Sequence, residues 1–506
     1  GINFIDEARL GPQDMPEHMK NKGRNTYYFL PLLLGIIGCV FHFMKDKQNW
    51  SVVFMLFIMT GIAIGVYLNM YAYQPRERDY AFAASFYAFS MWIGLGVYAI
   101  YALIEKYMNR NLAAVLSTIV CLSVPTVLCA QNWNDHDRSH RYLTRSIAKA
   151  YLDSCPKNAI LFANGDNDTF PLWYLQEVEG YRTDVRICNL SLMGTDWYID
   201  QMKRKAYDGE LVQMTMTKEM YQQGTRDLLI ARNSLKMPQN IVNVMQEICK
   251  PANNKREVNL PTTALFMKVD KEKVLANGVV PANMADQIVD NIVWNMPNTS
   301  IYYANGADTV KVITKAYIAM MDILANNNWE RPICYVATTG ADAFFGLENY
   351  FQAEGMVYRL VPIYTNNDNM WRMVGRVDSD ILYDNLMNKF ELTEFASEDI
   401  FLSQDYTRMV ANFKIMYFRL IETLLNEQKL DKVELVLDRV YECFPQNIIA
   451  YDYFDILLAR AYVACNNDKA IRKGIVLYND CIEQLMLTNA YYSKFKGNKA
   501  DRKSVV

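Results

Sequence analysis

Hydrophobic and polar positions follow two different patterns along the chain. Between residues 27 and 130 apolar residues come in long runs, and from residue 131 onward they come in short clusters among ordinary charge. A bilayer crossing needs about 20 apolar residues, with a lower limit of about 17. Four runs qualify: 27–44, 51–73, 81–103 and 112–130. Pro125 lies in the last run, where a membrane helix tolerates it as a kink. The linkers 45–50, 74–80 and 104–111 are short, so the pattern predicts packed antiparallel hairpins.

The rest of the chain changes period. A polar segment, 132–145, leads to a helix over 146–154 and a short apolar strand over 159–163. The loop 164–169 and a helix over 170–179 follow. A second strand over 185–190 ends in 191–195 and leads to a helix from Asp196. Strand, polar loop and helix in alternation predict an α/β unit with a parallel sheet. Ligands in such sheets gather at the carboxyl ends of the strands, where both polar loops lie. Residues 205–310 give no clear pattern. A helix is predicted over 311–326, a buried strand over 333–337, and loops with short helices over 341–400. Amphipathic helices follow at 411–427, 430–444, 449–465 and 468–485, two pairs of a size that resembles tetratricopeptide hairpins. The expected architecture is an extramembrane loop (1–25), four transmembrane helices (26–130), an α/β domain (131–400) and a tetratricopeptide-like helical domain (401–506).

Composition sharpens this picture. A chain of 506 residues has room for two or three domains. A net charge of −3 gives no reason to expect a nucleic-acid partner. Ten cysteines occur without a CxxC pair, three of them in the apolar runs. The seven others are an odd number, which argues against a complete disulfide framework or a zinc ribbon and for buried free thiols. The chain carries no P-loop, GxGxxG, GxSxG or HExxH motif, and four histidines leave little material for imidazole catalysis.

Four groups of residues could carry chemistry. The turn 74–79 (Gln-Pro-Arg-Glu-Arg-Asp) sits between two apolar runs, and the forks of Arg76 and Arg78 suit phosphate oxygens. The alternative is headgroup anchoring and salt bridging within the turn. Asp166 and Asp168 stand one residue apart after a strand. They can hold a divalent cation or a substrate hydroxyl, or Asp168 or Thr169 can cap the next helix, with Pro171 near its first turn. His136 and His140 would share a face if helical, although no third metal ligand is evident. Trp173 and Tyr174 with Glu177 and Glu179, and Asp196 with Trp197 and Tyr198, pair aromatics with acids as sugar sites do; such pairs are more often core and capping residues.

Several blocks carry a resemblance. They are residues 71–82 (Tyr-Ala-Tyr-Gln-Pro-Arg-Glu-Arg-Asp-Tyr-Ala-Phe), 132–139 (Asn-Trp-Asn-Asp-His-Asp-Arg-Ser) and 160–185, which opens Ile-Leu-Phe-Ala-Asn-Gly-Asp-Asn-Asp-Thr-Phe-Pro-Leu-Trp-Tyr. With Trp-Glu-Arg-Pro at 329–332 and Tyr-Arg-Leu-Val-Pro at 358–362, the chain resembles, from residue 1 to about 400, a family of large bacterial membrane proteins. That family is similar to a vertebrate transmembrane protein O-mannosyltransferase. The resemblance implies a GT-C glycosyltransferase that takes its sugar from a polyprenyl phosphate, transfers it to Ser or Thr of extracytoplasmic proteins and sits in the bacterial inner membrane. It makes Arg76 and Arg78 donor-phosphate contacts, and Asp166, Asp168 and Asp196 an acceptor or metal site.

Members of the family carry an Asp-x-Gly-Glu type segment near their N-terminus, which this chain lacks, so the catalytic carboxylate is expected upstream of these residues. Counting Lys and Arg in the loops would put the tail in the cytoplasm; the resemblance puts it in the periplasm, and the family orientation is adopted. The competing expectation is a non-catalytic membrane scaffold whose domains, residues 401–506 among them, dock partners in an envelope complex.

Overall fold

The computed structural model describes residues 7, 11–20, 23–70, 78–232, 235, 237–250, 259–297, 300–304, 308–367 and 373–495. They divide into two compact units, residues 1–139 with 487–506, and residues 140–486.

The first unit is helical: α1 (Leu30–Lys45), α2 (Lys47–Thr60), α3 (Ile62–Leu68), α4 (Ala83–Ile104) and α5 (Arg110–His136). Three stretches, Lys47–Leu68, Asp79–Ile104 and Arg110–His136, are long and apolar enough to cross a membrane. The first predicted span is the shorter apolar helix α1, with 16 residues. It begins late because Tyr28 and Phe29 take positive φ, a conformation that hydropathy does not register. Asp46 separates α1 from α2, and its carboxylate accepts the Asn49 amide at 3.1 Å.

Glycines let α1 and α4 approach closely. A Cβ on Gly38 would overlap the Trp92 carbonyl oxygen, and one on Gly96 would overlap that of Leu34. Small residues at a helix interface substitute for the hydrophobic driving force that lipid removes. Two polar contacts add to the packing: Ser85 donates to the Phe57 carbonyl at 3.0 Å, and the Trp92 indole to His42 Nδ1 at 3.3 Å. Helix α5 runs on to His136, so part of the predicted polar segment is helical. Its last turns are held by Asn25, which donates to Asn132 at 3.1 Å and Asp135 at 3.0 Å.

The second unit is built on a six-stranded mixed sheet. Its elements, in chain order, begin with α6 (Leu143–Asp153), β1 (Ile160–Ala163), α7 (Asp166–Glu177), β2 (Arg186–Asn189) and α8 (Asp196–Met202). Then come α9 (Lys218–Tyr221), β3 (Leu228–Ala231), β4 (Gln239–Asn240), α10 (Ile241–Ile248), β5 (Asn259–Leu260), β6 (Ala264–Lys268) and α11 (Lys271–Ala276). Next are β7 (Asn291–Asn295), β8 (Ser300–Ala304), β9 (Asp308–Thr314), α12 (Lys315–Asn327), β10 (Ile333–Val336), β11 (Phe351–Ala353), β12 (Val357–Leu360) and β13 (Arg376–Val377).

The main sheet runs β13-β11-β12-β10-β1-β2. Strands β10, β1 and β2 are parallel, as expected, whereas β12 is antiparallel to both β10 and β11. The prediction of a wholly parallel sheet fails at this hairpin, which lies in the stretch read as loops and short helices. Helix α12 starts four residues later than predicted, because Lys311 to Thr314 continue β9. A four-stranded sheet, β5-β3-β9-β8, and a three-stranded sheet, β4-β6-β7, occupy the stretch that showed no clear pattern. Leu161, Phe162, Cys188, Tyr335 and Val336 are fully buried, so the core lies on both faces of the central strands.

After α13 (Ser379–Tyr383) come α14 (Gln404–Asn426), α15 (Leu430–Cys443), α16 (Tyr453–Ala464) and α17 (Asp468–Tyr492). Lys414 on α14, 2% exposed, pairs with Asp455 of α16 at 2.8 Å and with Asp452 at 3.2 Å. Tyr441 of α15 donates to the other oxygen of Asp455 at 3.0 Å. Three of the helices thus meet at one buried charge network.

Candidate functional site

The carboxyl ends of β10, β1 and β2 share one edge of the main sheet, because the three strands run parallel. Strand β1 ends at Ala163, and Gly165 turns the chain into α7 with φ +84° and ψ 171°. L-residues other than glycine avoid this region. The helix therefore starts at Asp166, earlier than expected, and places Asp166 and Asp168 in its first turn. Carboxylates are favoured there by the partial positive charge of the helix N-terminus. The expected N-cap role of Asp168 or Thr169 is not what forms. Gly165 occupies that position, and Thr169 turns inward to donate to the Gly165 carbonyl at 2.8 Å. Pro171 falls inside the helix rather than in its first turn.

Asp168 instead faces two hydroxyls. Thr338, beyond the end of β10, donates to Asp168 Oδ1 at 3.0 Å, and Tyr151 on α6 donates to the same oxygen at 3.4 Å. Tyr151 and Thr338 also bond each other at 2.9 Å. No protein hydrogen bond falls on Asp168 Oδ2 among the described residues. Burial raises the Asp168 carboxyl above its ordinary pKa, and the two hydroxyls oppose that shift only in part. Burial, with the Asp168 charge beside it, holds the Tyr151 phenol well above its ordinary value, so Tyr151 remains a hydrogen-bond donor. Helix α6 is fixed at its start by Arg145, which grips Glu179 with two bonds of 2.7 Å.

The neighbouring loop is tied to the same edge. Asn189, buried at the end of β2, donates to Thr169 at 2.9 Å and accepts the Leu192 amide at 3.0 Å. Ser191 donates to Asn164 at 2.8 Å. Asp196 opens α8, where its carboxylate accepts the Trp197 amide at 2.8 Å and the Gln223 amide at 3.3 Å. Phe170, Tyr174 and Trp197 are about half exposed on α7 and α8, and Phe170 stacks on Trp173 with centroids 5.6 Å apart.

The structure thus places Asp166 and Asp168 on the first turn of α7 and Asp196 at the start of α8. Asp166 is exposed, while Asp168 is the one that meets other elements. Among the described residues no three His, Cys, Asp or Glu side chains converge as a metal set. His136 and His140 do not share a helix: α5 ends at His136, and His140 has φ +57°. Arg76 lies outside the described residues; Arg78 is exposed just before the 3-10 turn Asp79–Phe82. Sequence reasoning missed Tyr151 and Thr338. A buried tyrosine on an amphipathic helix and a threonine after a strand carry no local signal of such a contact.

What this edge can do chemically is bind a hydroxyl-bearing ligand. A partly desolvated carboxylate, with one oxygen taking no protein hydrogen bond among the described residues, accepts a hydrogen bond strongly, and the exposed rings of Phe170 and Tyr174 on the same helix are of the kind that suits the apolar side of a sugar ring.

Residues 144–381 match the family described as TMEM260-associated domain 2. That span contains Tyr151, Asp168 and Thr338. Over 73 residues the chain is 33% identical to Protein O-mannosyl-transferase TMEM260 of Mus musculus, an alignment covering 14% of this chain and 10% of the mouse protein. No solved structure matches the chain. The two matches support a relationship to an O-mannosyltransferase-like family.

Proposed function

We propose that this chain is part of an integral membrane O-glycosyltransferase. It moves a sugar from a polyprenyl-phosphate donor to Ser or Thr hydroxyls of proteins outside the cytoplasm. The observation that carries this reading is the match of residues 144–381 to TMEM260-associated domain 2, with a short likeness to a protein O-mannosyl-transferase, in a chain that also holds three helices long and apolar enough to cross a membrane. In this reading the helices have the GT-C arrangement, α1 completes a fourth crossing, and residues 131–506 face the periplasm of a bacterial inner membrane. Arg76 and Arg78 clamp the donor phosphate, as forked guanidinium groups suit phosphate oxygens. Asp168, with Asp166 and Asp196 beside it, receives the acceptor hydroxyls.

The test uses membranes containing the complete protein, including the upstream segment expected to hold the catalytic carboxylate, supplied with a polyprenyl-phosphate hexose and a Ser/Thr-containing acceptor protein. Arg76→Ala with Arg78→Ala should abolish hexose incorporation while membrane insertion and melting stay unchanged. Undiminished incorporation would remove the donor-clamp role.

A second reading is favoured by one feature of the helical region. Ile475, Val476, Ile482, Leu485 and Met486 of α17 are each at least half exposed. Such a face suits docking of a partner in an envelope complex by tetratricopeptide-like hairpins. In that reading the chain is a scaffold, and hexose incorporation is independent of both the arginines and Asp168.

A further inference from the structure

A polar cavity of about 390 Å³ lies at the amino ends of β1 and β10. Asn158 stands two residues before β1, and Arg331 two residues before β10. Asp168 and Thr338 follow the carboxyl ends of the same strands. Each strand has 4 residues, and a rise of about 3.3 Å per residue puts roughly 13 Å between the two edges. The block Trp-Glu-Arg-Pro at 329–332, which the Asp168 edge leaves unused, builds one wall of the cavity. Asn328 and Trp329 take positive φ, 42° and 61°, and turn the chain out of α12. Arg331 then donates from Nε to the Asn158 carbonyl at 2.9 Å, and from Nη1 to the carbonyls of Glu210 and Leu211 at 3.1 Å each. These bonds tie three chain segments around the cavity. Glu210 and Glu330 also line it, and each is paired with a lysine, Lys205 at 2.8 Å and Lys273 at 3.0 Å.

Hydrogen-bonding capacity is left over on these walls. Arg331 Nη2 and Asn158 Oδ1 are buried with no partner among the described residues. The Gln213 amide, on the same cavity, takes no hydrogen bond among those residues. Asn327 uses its Nδ2 on the Arg331 carbonyl at 2.9 Å and leaves its Oδ1 free. These groups offer donors and acceptors together. Leaving them unpaired costs free energy, so an occupant that pairs them is favoured. An anion in the cavity would meet Glu210 and Glu330, and a cation would meet Arg331. Hydroxyl groups carry no charge and both donate and accept, so they match the whole set. Ile160, Leu211 and Ile323 add apolar wall for C–H groups. Ligand sites run from about 300 to 1,000 Å³, so this one has the size for a single sugar ring rather than a chain of them. We propose that the cavity binds one neutral monosaccharide unit, at a site distinct from the Asp168 edge. Arg331 donates to its hydroxyls, Asn158 accepts from them, and Gln213 pairs a further one.

The test places the full chain in micelles of lauryldimethylamine oxide, a detergent without a sugar headgroup. D-glucose, D-galactose and D-mannose are titrated by saturation-transfer NMR, with inorganic phosphate as a competitor. The expected result is saturable binding of at least one hexose that phosphate does not displace. Asn158→Gly keeps the φ of +57° and the backbone groups that Arg331 and Asp184 hold, and removes only the side chain. It should weaken hexose binding roughly 5-fold or more. Gln213→Ala removes an exposed side chain and should weaken binding likewise at an unchanged melting temperature, which decides the matter if Asn158→Gly folds poorly. No saturable binding of any hexose would leave only water in the cavity and overturn the proposal. Equal affinity in the parent and Gln213→Ala, or displacement of the hexose by phosphate, also overturns it. Binding is read without transfer, so the outcome is independent of whether the chain transfers a sugar.

Discussion

Thr338 donates a hydrogen bond to Asp168 at 3.0 Å across 170 residues of sequence. The contact exists because β1 and β10 run parallel as neighbours, so the loops that follow them open on the same edge. Together with Tyr151 it makes Asp168 a carboxylate held by two elements besides its own.

Asp168 should weaken folding where it is ionised. Burial raises its pKa above the unfolded value, so its contribution to stability is fully present below that value. It is lost as pH rises through the folded pKa. Asp168→Asn keeps an oxygen for Thr338 and Tyr151 and carries no charge. Its melting temperature should exceed that of the parent chain at pH 7, and the gain should vanish as pH falls below about 4. Melting curves collected from pH 3 to pH 8 read this out, and a gain that persists at pH 3 would contradict the burial argument.

Gly165 should be required for its backbone rather than its size. A Cβ there meets nothing within 4 Å, but φ is +84°. Gly165→Ala should cost about 1–3 kcal/mol. Gly340 provides the control, with φ −68° and equally open space, so Gly340→Ala should be near neutral. Denaturant titration of both variants separates the two effects.

The Lys414 ammonium is buried against Asp455 and Asp452. Lys414→Met leaves a buried carboxylate without its cation and should cost about 3–5 kcal/mol. Adding Asp455→Asn should recover part of that loss, as a double-mutant cycle would show. A single-mutant cost within the error of the titration would mean that the pair does not hold α14 to α16.

These sites differ in how much of them could be read from the residues alone. Strands β1 and β10 are short apolar runs closed by polar loops, and the helices from Gln404 onward carry a strong apolar period. Both signals are local, which is why both were visible. The β11–β12 hairpin was not, because Gln352 and Arg359 interrupt its strands, so neither Phe351–Ala353 nor Val357–Leu360 reads as an apolar run although both residues are buried. Asp168 stood out as one of two acids after a strand, but its partners did not. Tyr151 and Thr338 reach it through strand pairing and helix packing, which depend on the whole sheet. The earlier start of α7 followed from the conformation of Gly165, which no hydropathy pattern encodes.

The central claim is that the Asp168 edge binds the acceptor of a sugar transfer. Its most direct test is steady-state transfer of hexose from a polyprenyl phosphate to an acceptor protein by membranes containing the complete protein with its upstream catalytic segment, comparing the parent with Asp168→Asn. Losing a hydrogen bond to a charged acceptor is worth about 1.5–3 kcal/mol, so KM for the acceptor protein should rise roughly 10-fold or more. KM for the donor should be unchanged. Equal acceptor KM in the parent and the variant, or hexose incorporation no higher than in membranes lacking the complete protein, would contradict the account.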